Sequence, residues 1–377
     1  MNRILITTAA AAATALLAAA CGSSATSPSA SPRSRLASSS SSPGSSARAA
    51  GKFLGCLVTD TGGINDRSVN ASSWQGMREA AATNPTKITV RYQQSSASSD
   101  YTPGINTFIR KKCGIIVTVG FLMGDNTQTA ATANPDQRFA IVDYAYSPAI
   151  KNIDALMFNT VQDGFLGGYL AAGMSKSGAV GTFGGQQLPA VTIYMDGYYD
   201  GVQYYDSQHH AHIRVLGWNE TTQKGLFAGN FTGQATGQTD TQTLISEGAD
   251  VIFPVAGNVG LGAARAVQDA DAAAGSDKVN MEWAETDGCI SASQYCRYFI
   301  TSVTQGIQAA VKAAVLSAAG GTFNGGNYLG TLANNGVALS PFHDFATKVP
   351  AWLQAELTKI KAEIISRKIK PATKSPV

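Results

Sequence analysis

Short apolar runs recur along the chain. Each is closed by a small or polar residue and followed by a stretch with helical spacing. Phe53 to Thr59 has the pattern of a buried strand and stops at Asp60 and Gly62-Gly63; Trp74, Met77 and Ala80-Ala81 then share a helical face. Ile88–Val90, Ile115–Val119 and Phe139–Val142 read as further strands, with the end of a helix at Thr107 to Lys111 between the first two. The alternation continues with helix 166–175, strand 179–183, helix 195–204, strand 213–216, helix 239–246, strand 251–253 and helix 261–273. Short strands alternating with helices predict an α/β fold built on parallel sheets. Ligands of such sheets bind outside the carboxyl ends of the strands, where Asp60, Asp125, Asp143, Asn258 and Asp287 stand. One acid at a strand end is commonly a helix cap; five together exceed what capping requires. Near the C-terminus, Val349, Trp352, Leu353, Leu357, Ile360 and Ile364 lie on one helical face, predicting a helix docked on the body by that stripe. Tyr198, Tyr199, Tyr204 and Tyr205 have helical spacing and are expected to pack.

Composition sharpens this picture mainly through where the charge lies. The 377 residues carry a formal charge of +3. Residues 1–50 hold Arg3, Arg33, Arg35 and Arg48 and no acid, which leaves the remaining 327 residues at −1. A near-neutral body has no electrostatic footprint for nucleic acid or an anionic membrane face. That body also exceeds the roughly 250–300 residues of a single core, so two lobes are expected. The 39 glycines are in excess, pointing to tight strand–helix turns or to backbone brought close to a ligand.

Arg3 followed by the uncharged stretch Ile4–Leu17 and the small residues Ala18-Ala19-Ala20 reads as a secretory signal spanning 1–20, too short to cross a membrane as a helix. Cys21 directly after it resembles a bacterial lipobox cysteine, with Ala18 where leucine is commonest. That resemblance implies a lipidated Cys21 as the mature N-terminus, and a membrane attachment made only through that lipid. An ordinary secreted chain cut near Ala20 is the alternative. Residues 21–51 are rich in Ser, Ala and Pro and cannot bury a core, so they are expected to form a disordered tether. Cys56, Cys113, Cys289 and Cys296 form an even set in an oxidising compartment and are disulfide candidates. Cys289 and Cys296 are spaced to close a small loop, and Cys56 and Cys113 each adjoin a strand-like run. No metal site is expected, since no Cys-x-x-Cys occurs and His209, His210 and His212 fall where a surface turn is predicted.

The most specific string is Val58-Thr59-Asp60-Thr61-Gly62-Gly63-Ile64-Asn65-Asp66-Arg67-Ser68-Val69-Asn70, followed by Trp74-Gln75-Gly76. It resembles the basic membrane lipoprotein family, the purine-nucleoside-binding components of ABC importers. Further blocks match in order. They are Val119–Leu122 with Asp125, Asn134-Pro135-Asp136 leading to Phe139–Asp143, and Gly184-Gly185 through Pro189, Val191, Tyr194, Gly197-Tyr198 and Gly201. Gly248–Phe253 with Val255–Gly257, Thr301–Val303 and Asn335–Val337 complete the set. The resemblance spans residues 52 to about 345.

The resemblance implies a type I periplasmic-binding fold, with two doubly wound parallel-sheet lobes joined by a three-crossing hinge and the ligand in the interlobe cleft. Lobe 1 is expected at 52–158, completed by about 286–325; lobe 2 at 159–285, completed by about 326–345; and a C-terminal amphipathic helix at 346–372. A purine presents two flat faces, for which aromatic stacking is the natural contact. Tyr194 falls where the family has a stacking aromatic, and Ile64 where many members have phenylalanine. Asp60, Asn70 and Phe121 belong to the matched blocks. Asp125 and Asn65/Asp66 are expected at the base edge and the adjoining polar wall, and Gly257 where backbone approaches the sugar. Ribose hydroxyls can donate to carboxylates; in the family an Asp-x-Asp after a late strand accepts them, and the resemblance puts Glu285 and Asp287 in that role, in the string Trp283-Ala284-Glu285-Thr286-Asp287. Gln305 stands where the family often has a ribose-contacting lysine.

The implied protein is a monomer without cofactor, lipid-anchored to the outer face of the bacterial cytoplasmic membrane, that captures a purine nucleoside or similar riboside and delivers it to an ABC-importer permease. Gly257-x-x-Gly260-x-Gly262 has neither Walker nor dinucleotide spacing, and no Gly-x-Ser-x-Gly elbow occurs. A secreted nucleoside glycohydrolase and a ligand-sensing surface receptor are the alternative readings. An enzyme would have to add a group placed to activate water.

Overall fold

A computed structural model describes residues 52–375. The expected signal (1–20), the expected tether (21–51) and the expected lipidation site Cys21 lie outside the described residues. The chain enters through β1 (Phe53–Val58), α1 (Val69–Thr83), β2 (Ile88–Gln93), α2 (Tyr101–Arg110), β3 (Ile115–Val119), α3 (Gly124–Ala133), β4 (Phe139–Val142) and β5 (Ile153–Phe158). It continues through α4 (Thr160–Met174), β6 (Ala179–Gly184), α5 (Pro189–His209), β7 (Arg214–Leu216), the hairpin β8 (Trp218–Asn219) and β9 (Lys224–Gly225), α6 (Gln234–Ser246), β10 (Val251–Val255), α7 (Val259–Ala274) and β11 (Asn280–Glu285). The last part holds α8 (Gly288–Ser291), β12 (Phe299–Gln305), α9 (Ile307–Gly320), β13 (Gly326–Gly330), β14 (Val337–Leu339) and α10 (Ala351–Ile365).

Two six-stranded sheets result, with the orders β2-β1-β3-β4-β5-β13 and β7-β6-β10-β11-β12-β14. All pairings within them are parallel except β12 with β14. The central strands are buried on both faces, as in Ile115–Val119 and Val251–Val255, which is why they read as near-continuous apolar runs rather than alternating ones. In the first sheet, Val58, Ile116 and Ile141 pack with Ile105 and Phe108 of α2; the other face lies under α1 and α9. In the second, Ile252 and Met281 pack with Leu244 of α6 and Val259 and Val267 of α7. The opposite face lies under α4, α5 and α10.

Part of the glycine excess has a cause that turns and ligand approach do not cover. α4 and α5 pack backbone to backbone: a Cβ on Gly168 would sit 1.9 Å from the Tyr198 carbonyl oxygen, and one on Gly201 2.0 Å from that of Phe165. α10 buries Leu353, Leu357, Ile360 and Ile364, while Trp352 of the expected stripe stays 46% exposed. Tyr198 is buried, and Tyr204 and Tyr205 pack on Tyr169 of α4.

The lobe boundaries differ from those expected. Residues 286–325 do not complete the first lobe as a block: β12 lies in the second sheet, beside β11, and only α9 returns to the first. Residues 326–345 divide as well, since β13 pairs with β5 in the first sheet and β14 with β12 in the second. The chain therefore crosses between lobes after Phe158, after Gln305 and between Gly330 and Val337. The reason is the doubly wound topology. β12 follows β11 outward in the second sheet just as β5 follows β4 in the first, and each sheet takes its edge strand from the segment after the second crossing. Cys56 in β1 is bonded to Cys113 in the turn before β3, and Cys289 to Cys296 beside α8.

Candidate functional site

The loop after β1 is organised by carboxylates. Asp66 accepts the backbone N–H groups of Ser68, Asn70 and Ala71, tying off the start of α1, and takes one N–H from the Asn70 side chain. Unpaired N–H groups at a helix start favour such an acceptor. The same Asn70 amide donates to Asp60 Oδ1 at 2.6 Å, and its Oδ1 accepts the Asp60 N–H. Asp60 Oδ1 also accepts the Gly62 N–H at 2.8 Å. Asp60 Oδ2 is thereby turned outward beside Gly120, which has φ +98° and whose absent Cβ would lie 3.0 Å from that oxygen. Glycine is required there on both counts.

Two more acids end central strands. Asp143 follows β4 with φ +63°, and Glu285 closes β11 with φ +69°. Non-glycine residues rarely take this backbone region, and such strain gathers at functional sites. Gln305, at the end of β12, donates from Nε2 to Asp143 Oδ1 at 3.4 Å. Among the described residues, no donor reaches Glu285 Oε2 or Gln305 Oε1, although both are shielded from solvent.

Asp143 and Gln305 line a cavity of about 330 Å³ between the lobes, at the carboxyl ends of both sheets. On the first-lobe side it is walled by Phe121, Asp143, Tyr144, Met157 and Phe158, and on the second by Pro189, Ala190 and Ile193 of α5. A smaller chamber of about 50 Å³ adjoins it through Phe121, Asp143 and Ala190; it is lined by Asp60, Asp66, Val69, Phe231, Gly257 and Glu285. No lysine, arginine or histidine lines either chamber among the described residues. Burial without a neutralising cation pushes Asp60 up to about 6 and Asp143 up to about 7, with like-charge neighbours adding to both. Glu285 is pushed well above the usual carboxylate range by burial and then by Asp143, Asp66 and Asp60.

Of the residues singled out in the sequence, Asp60, Asp66, Phe121, Gly257, Glu285 and Gln305 line this space. Asn70 stands behind it as a fully buried support. The others fall elsewhere. Tyr194 is 0% exposed, and its ring packs edge-on to Phe253 in the core, so it offers no face to a ligand. The helical phase of α5 decides this, because Pro189, Ala190 and Ile193 turn to the cavity and Tyr194 turns away. Ile64 is half-buried and Asn65 exposed, and neither lines the cavity. Asp125 is exposed on the first turn of α3; the turn Phe121–Met123 lets Phe121 face the cleft instead.

Asp287 caps α8 by accepting the Cys289 N–H and pairs with His343 Nε2 at 2.7 Å, away from the cavity. Asp287, Cys289 and His343 approach one another with the spacing of metal ligands. The Cys289 sulfur is held in a disulfide, so it is not a thiolate ligand. Tyr144, Phe158, Val69 and Phe231 are lining residues to which the sequence reading gave no role. Asp143 was visible as an acid at a strand end, without an assigned contact.

This geometry can be compared with known proteins. A family model described as "ABC transporter substrate-binding protein PnrA-like" matches residues 54–376. The chain belongs to that family. It is 31% identical over 221 residues to the ABC transporter nucleoside-binding protein BmpA of Lactococcus lactis, a match covering 58% of this chain and 59% of that protein. It is 25% identical over 291 residues to an uncharacterised lipoprotein of Pyrococcus horikoshii, covering 74% and 67%. The match to the lactococcal relative thus spans less than two thirds of that protein's length. A solute-binding protein of an ABC transporter system from Aeropyrum pernix superposes with a TM-score of 0.76 at 23% identity, covering 86% of this chain and 94% of that one. That likeness supports the fold: the type I periplasmic-binding architecture. The family is one of substrate-binding proteins rather than enzymes. No helix among the described residues is long and apolar enough to cross a membrane.

Proposed function

We propose that this member of the family captures a purine nucleoside or similar small riboside in the interlobe cavity and presents it to an ABC-importer permease, attached to the membrane through lipid on Cys21. The observation that carries the reading is the division of the cavity wall. Phe121, Tyr144, Phe158 and Phe231 supply flat apolar surface, while Asp60, Asp143, Glu285 and Gln305 supply acceptors. A nucleoside is divided in the same way, into a flat base and a sugar rich in hydroxyl donors. Base stacking suits aromatic walls, and carboxylates accept from sugar hydroxyls. The volume of about 330 Å³ falls in the range of small-molecule sites. The Lactococcus lactis relative, named as a nucleoside-binding protein, supports the same ligand class.

The cavity's position between lobes suits capture by hinge closure. The test is mass spectrometry of small molecules released from the denatured, purified protein, followed by calorimetry with guanosine, inosine and adenosine. Binding at micromolar or better with the nucleoside recovered intact is the expected result. Recovery of free base and ribose would show an enzyme instead, and failure of all three to bind would remove the nucleoside reading. Incorporation of labelled palmitate into the wild-type chain but not into Cys21→Ala checks the anchor.

A further inference from the structure

Asp287 and His343 stand away from the cavity, where two loops of the second lobe meet. Asp287 follows β11, and its Oδ1 accepts the Cys289 N–H at 3.0 Å. The Gly288 N–H donates to Ser302 Oγ of β12 at 2.9 Å, which pins the same turn to the sheet. His343 follows β14 and begins a short turn anchored by buried Phe345. Its Nε2 lies 2.7 Å from Asp287 Oδ2. The Cys289 sulfur completes the group: an oxygen of Asp287, that sulfur and a ring nitrogen of His343 all lie within 4.8 Å of one another. Because Cys289 is bonded to Cys296, a second sulfur stands at the same place. The side chains of Asp287 and His343 are 18% and 30% exposed, so an ion can reach them from solvent.

Two cysteines, a histidine and an aspartate can supply the four ligands of a tetrahedral zinc ion, and sulfur with imidazole selects zinc over calcium or magnesium. Ligand atoms ~2.0–2.3 Å from the metal are roughly 3.3–3.8 Å from one another. Opening the Asp287–His343 contact from 2.7 Å to that spacing asks only for side-chain movement. The bond between the two sulfurs withholds the site, since the ligand form of cysteine is the thiolate. Thiol–disulfide exchange releases it: a dithiol passes two electrons and two protons to Cys289 and Cys296 and closes to its own disulfide. Zinc then displaces the two thiol protons, which pass to water. Cys289 and Cys296 are half-buried, whereas Cys56 and Cys113 are buried, so a dissolved reductant meets the first pair before the second. We infer that Asp287, Cys289, Cys296 and His343 form a zinc site that opens when the Cys289–Cys296 bond is reduced and closes when that bond forms.

The test uses purified protein carrying Cys21→Ala, which leaves no cysteine outside the two disulfides. One sample is kept oxidised, and the other is reduced with a dithiol and desalted without oxygen. Competition against a chromogenic zinc chelator should show one zinc held at micromolar affinity or tighter by each reduced chain, and none held so by the oxidised chain. Cobalt(II) in place of zinc should give thiolate-to-metal charge-transfer absorption with the reduced chain alone. Cys289→Ser/Cys296→Ser should abolish that absorption. His343→Ala leaves both cysteines in place, serves if the serine variant does not fold, and should weaken zinc at least about tenfold. No zinc on the reduced chain would overturn the inference, as would equal zinc on both chains. Binding indifferent to His343→Ala, or to loss of the two sulfurs, would overturn it too and mark the zinc as adventitious.

Discussion

Asp143 and Glu285 occupy the same place in two different sheets. Each stands at the carboxyl end of the strand third from its sheet's late edge, β4 in one lobe and β11 in the other, each has a backbone φ between +60° and +70°, and both residues line the cleft. The repeated topology brings two like charges together across the lobe boundary, where burial raises the affinity of each for a proton.

A pH dependence of stability follows. An unfolded aspartate titrates near ~3.9, whereas folded Asp143 is pushed up to about 7. Between those values the folded chain binds more protons than the unfolded chain, so stability falls as pH rises. One group contributes at most roughly 1.4 kcal/mol per pH unit across that window. The ligand-free protein is therefore expected to melt at a lower temperature at pH 8 than at pH 5, and Asp143→Asn to flatten the difference. Scanning calorimetry of both forms decides it; an unchanged slope in the variant would assign the dependence to other groups, Asp60 and Glu285 first.

The two lobes are tied at the mouth of the cleft by Arg67. Its carbonyl oxygen accepts from Thr286 Oγ1 at 2.8 Å, and its guanidinium donates to the carbonyl oxygen of Ser291. Both partners follow β11 in the second lobe, while Arg67 belongs to the loop after β1. Thr286→Val keeps the side-chain shape and removes the donor. A net hydrogen-bond contribution of about 0.5–1.5 kcal/mol translates into a two- to tenfold loss of affinity, expected as faster dissociation because closure is what retains the ligand. Stopped-flow dissociation of a fluorescent nucleoside measures it, and an unchanged rate would show that the tie plays no part in retention.

Ring contacts with the ligand are expected from Phe121 rather than Tyr194. Phe121→Ala should weaken nucleoside binding at least about fivefold, in line with stacking worth ~1–3 kcal/mol. Tyr194→Phe removes only a buried hydroxyl that has no partner and should leave affinity within about threefold. Tyr194→Ala should instead cost about 3–5 kcal/mol of stability by opening a cavity in the core. Paired titrations and melts separate the two roles, and a large affinity loss in a stably folded Tyr194→Phe would restore the tyrosine to the site.

Tyr194 also marks how far residue patterns reach. Strand–helix alternation was legible because each central strand is an apolar run closed by a polar or glycine residue. The acids at strand ends pointed to the rim of the sheets where the cavity lies. Which side of α5 faces the cleft depends on helical phase after Pro189, and a tyrosine fits core and ligand surface equally well. Asp125 and Asp143 both follow strands. Only the short turn after β3, which presents Phe121 and carries Asp125 outward, distinguishes them. The exchange of β12 and β13 between lobes left no mark because Gln305-Gly306 and the residues around Gly330 have ordinary loop composition. Edge strand β13, half exposed and glycine-bounded, and β5, interrupted by Asp154, carry too little apolar signal to be placed by pattern.

The two disulfides should differ in their contribution. The bond between Cys56 and Cys113 spans 57 residues and that between Cys289 and Cys296 spans 7. On the chain-entropy account these correspond to roughly 4 and roughly 2–3 kcal/mol. Urea titration of Cys56→Ala/Cys113→Ala and Cys289→Ala/Cys296→Ala double variants should rank the first as the more damaging, with both still able to fold. The reverse ranking would mean that local strain or residual unfolded-state structure outweighs loop length here.

Asp196 of α5 is fully buried and gathers the C-terminal segment. It accepts from Trp218 Nε1, Gln223 Nε2, Thr373 Oγ1 and the backbone N–H groups of Lys374 and Ser375. Ser375 Oγ also bonds to Thr192 Oγ1 at 2.6 Å. Thr192 and Asp196 are one helical turn apart, and the residues between and before them on the neighbouring face, Ile193, Ala190 and Pro189, wall the cavity. The segment thus braces the end of α5 that forms the second-lobe wall. Removing residues 371–377 would leave the carboxylate only its tryptophan and glutamine donors, at a cost of about 1–3 kcal/mol for a buried acceptor group left short of partners. A lower melting temperature and a several-fold weaker nucleoside affinity are expected together, with Asp196→Asn in the shortened chain recovering part of the stability by removing the uncompensated charge. A shortened chain with unaltered melting and affinity would show that the segment lies on α5 without bracing it.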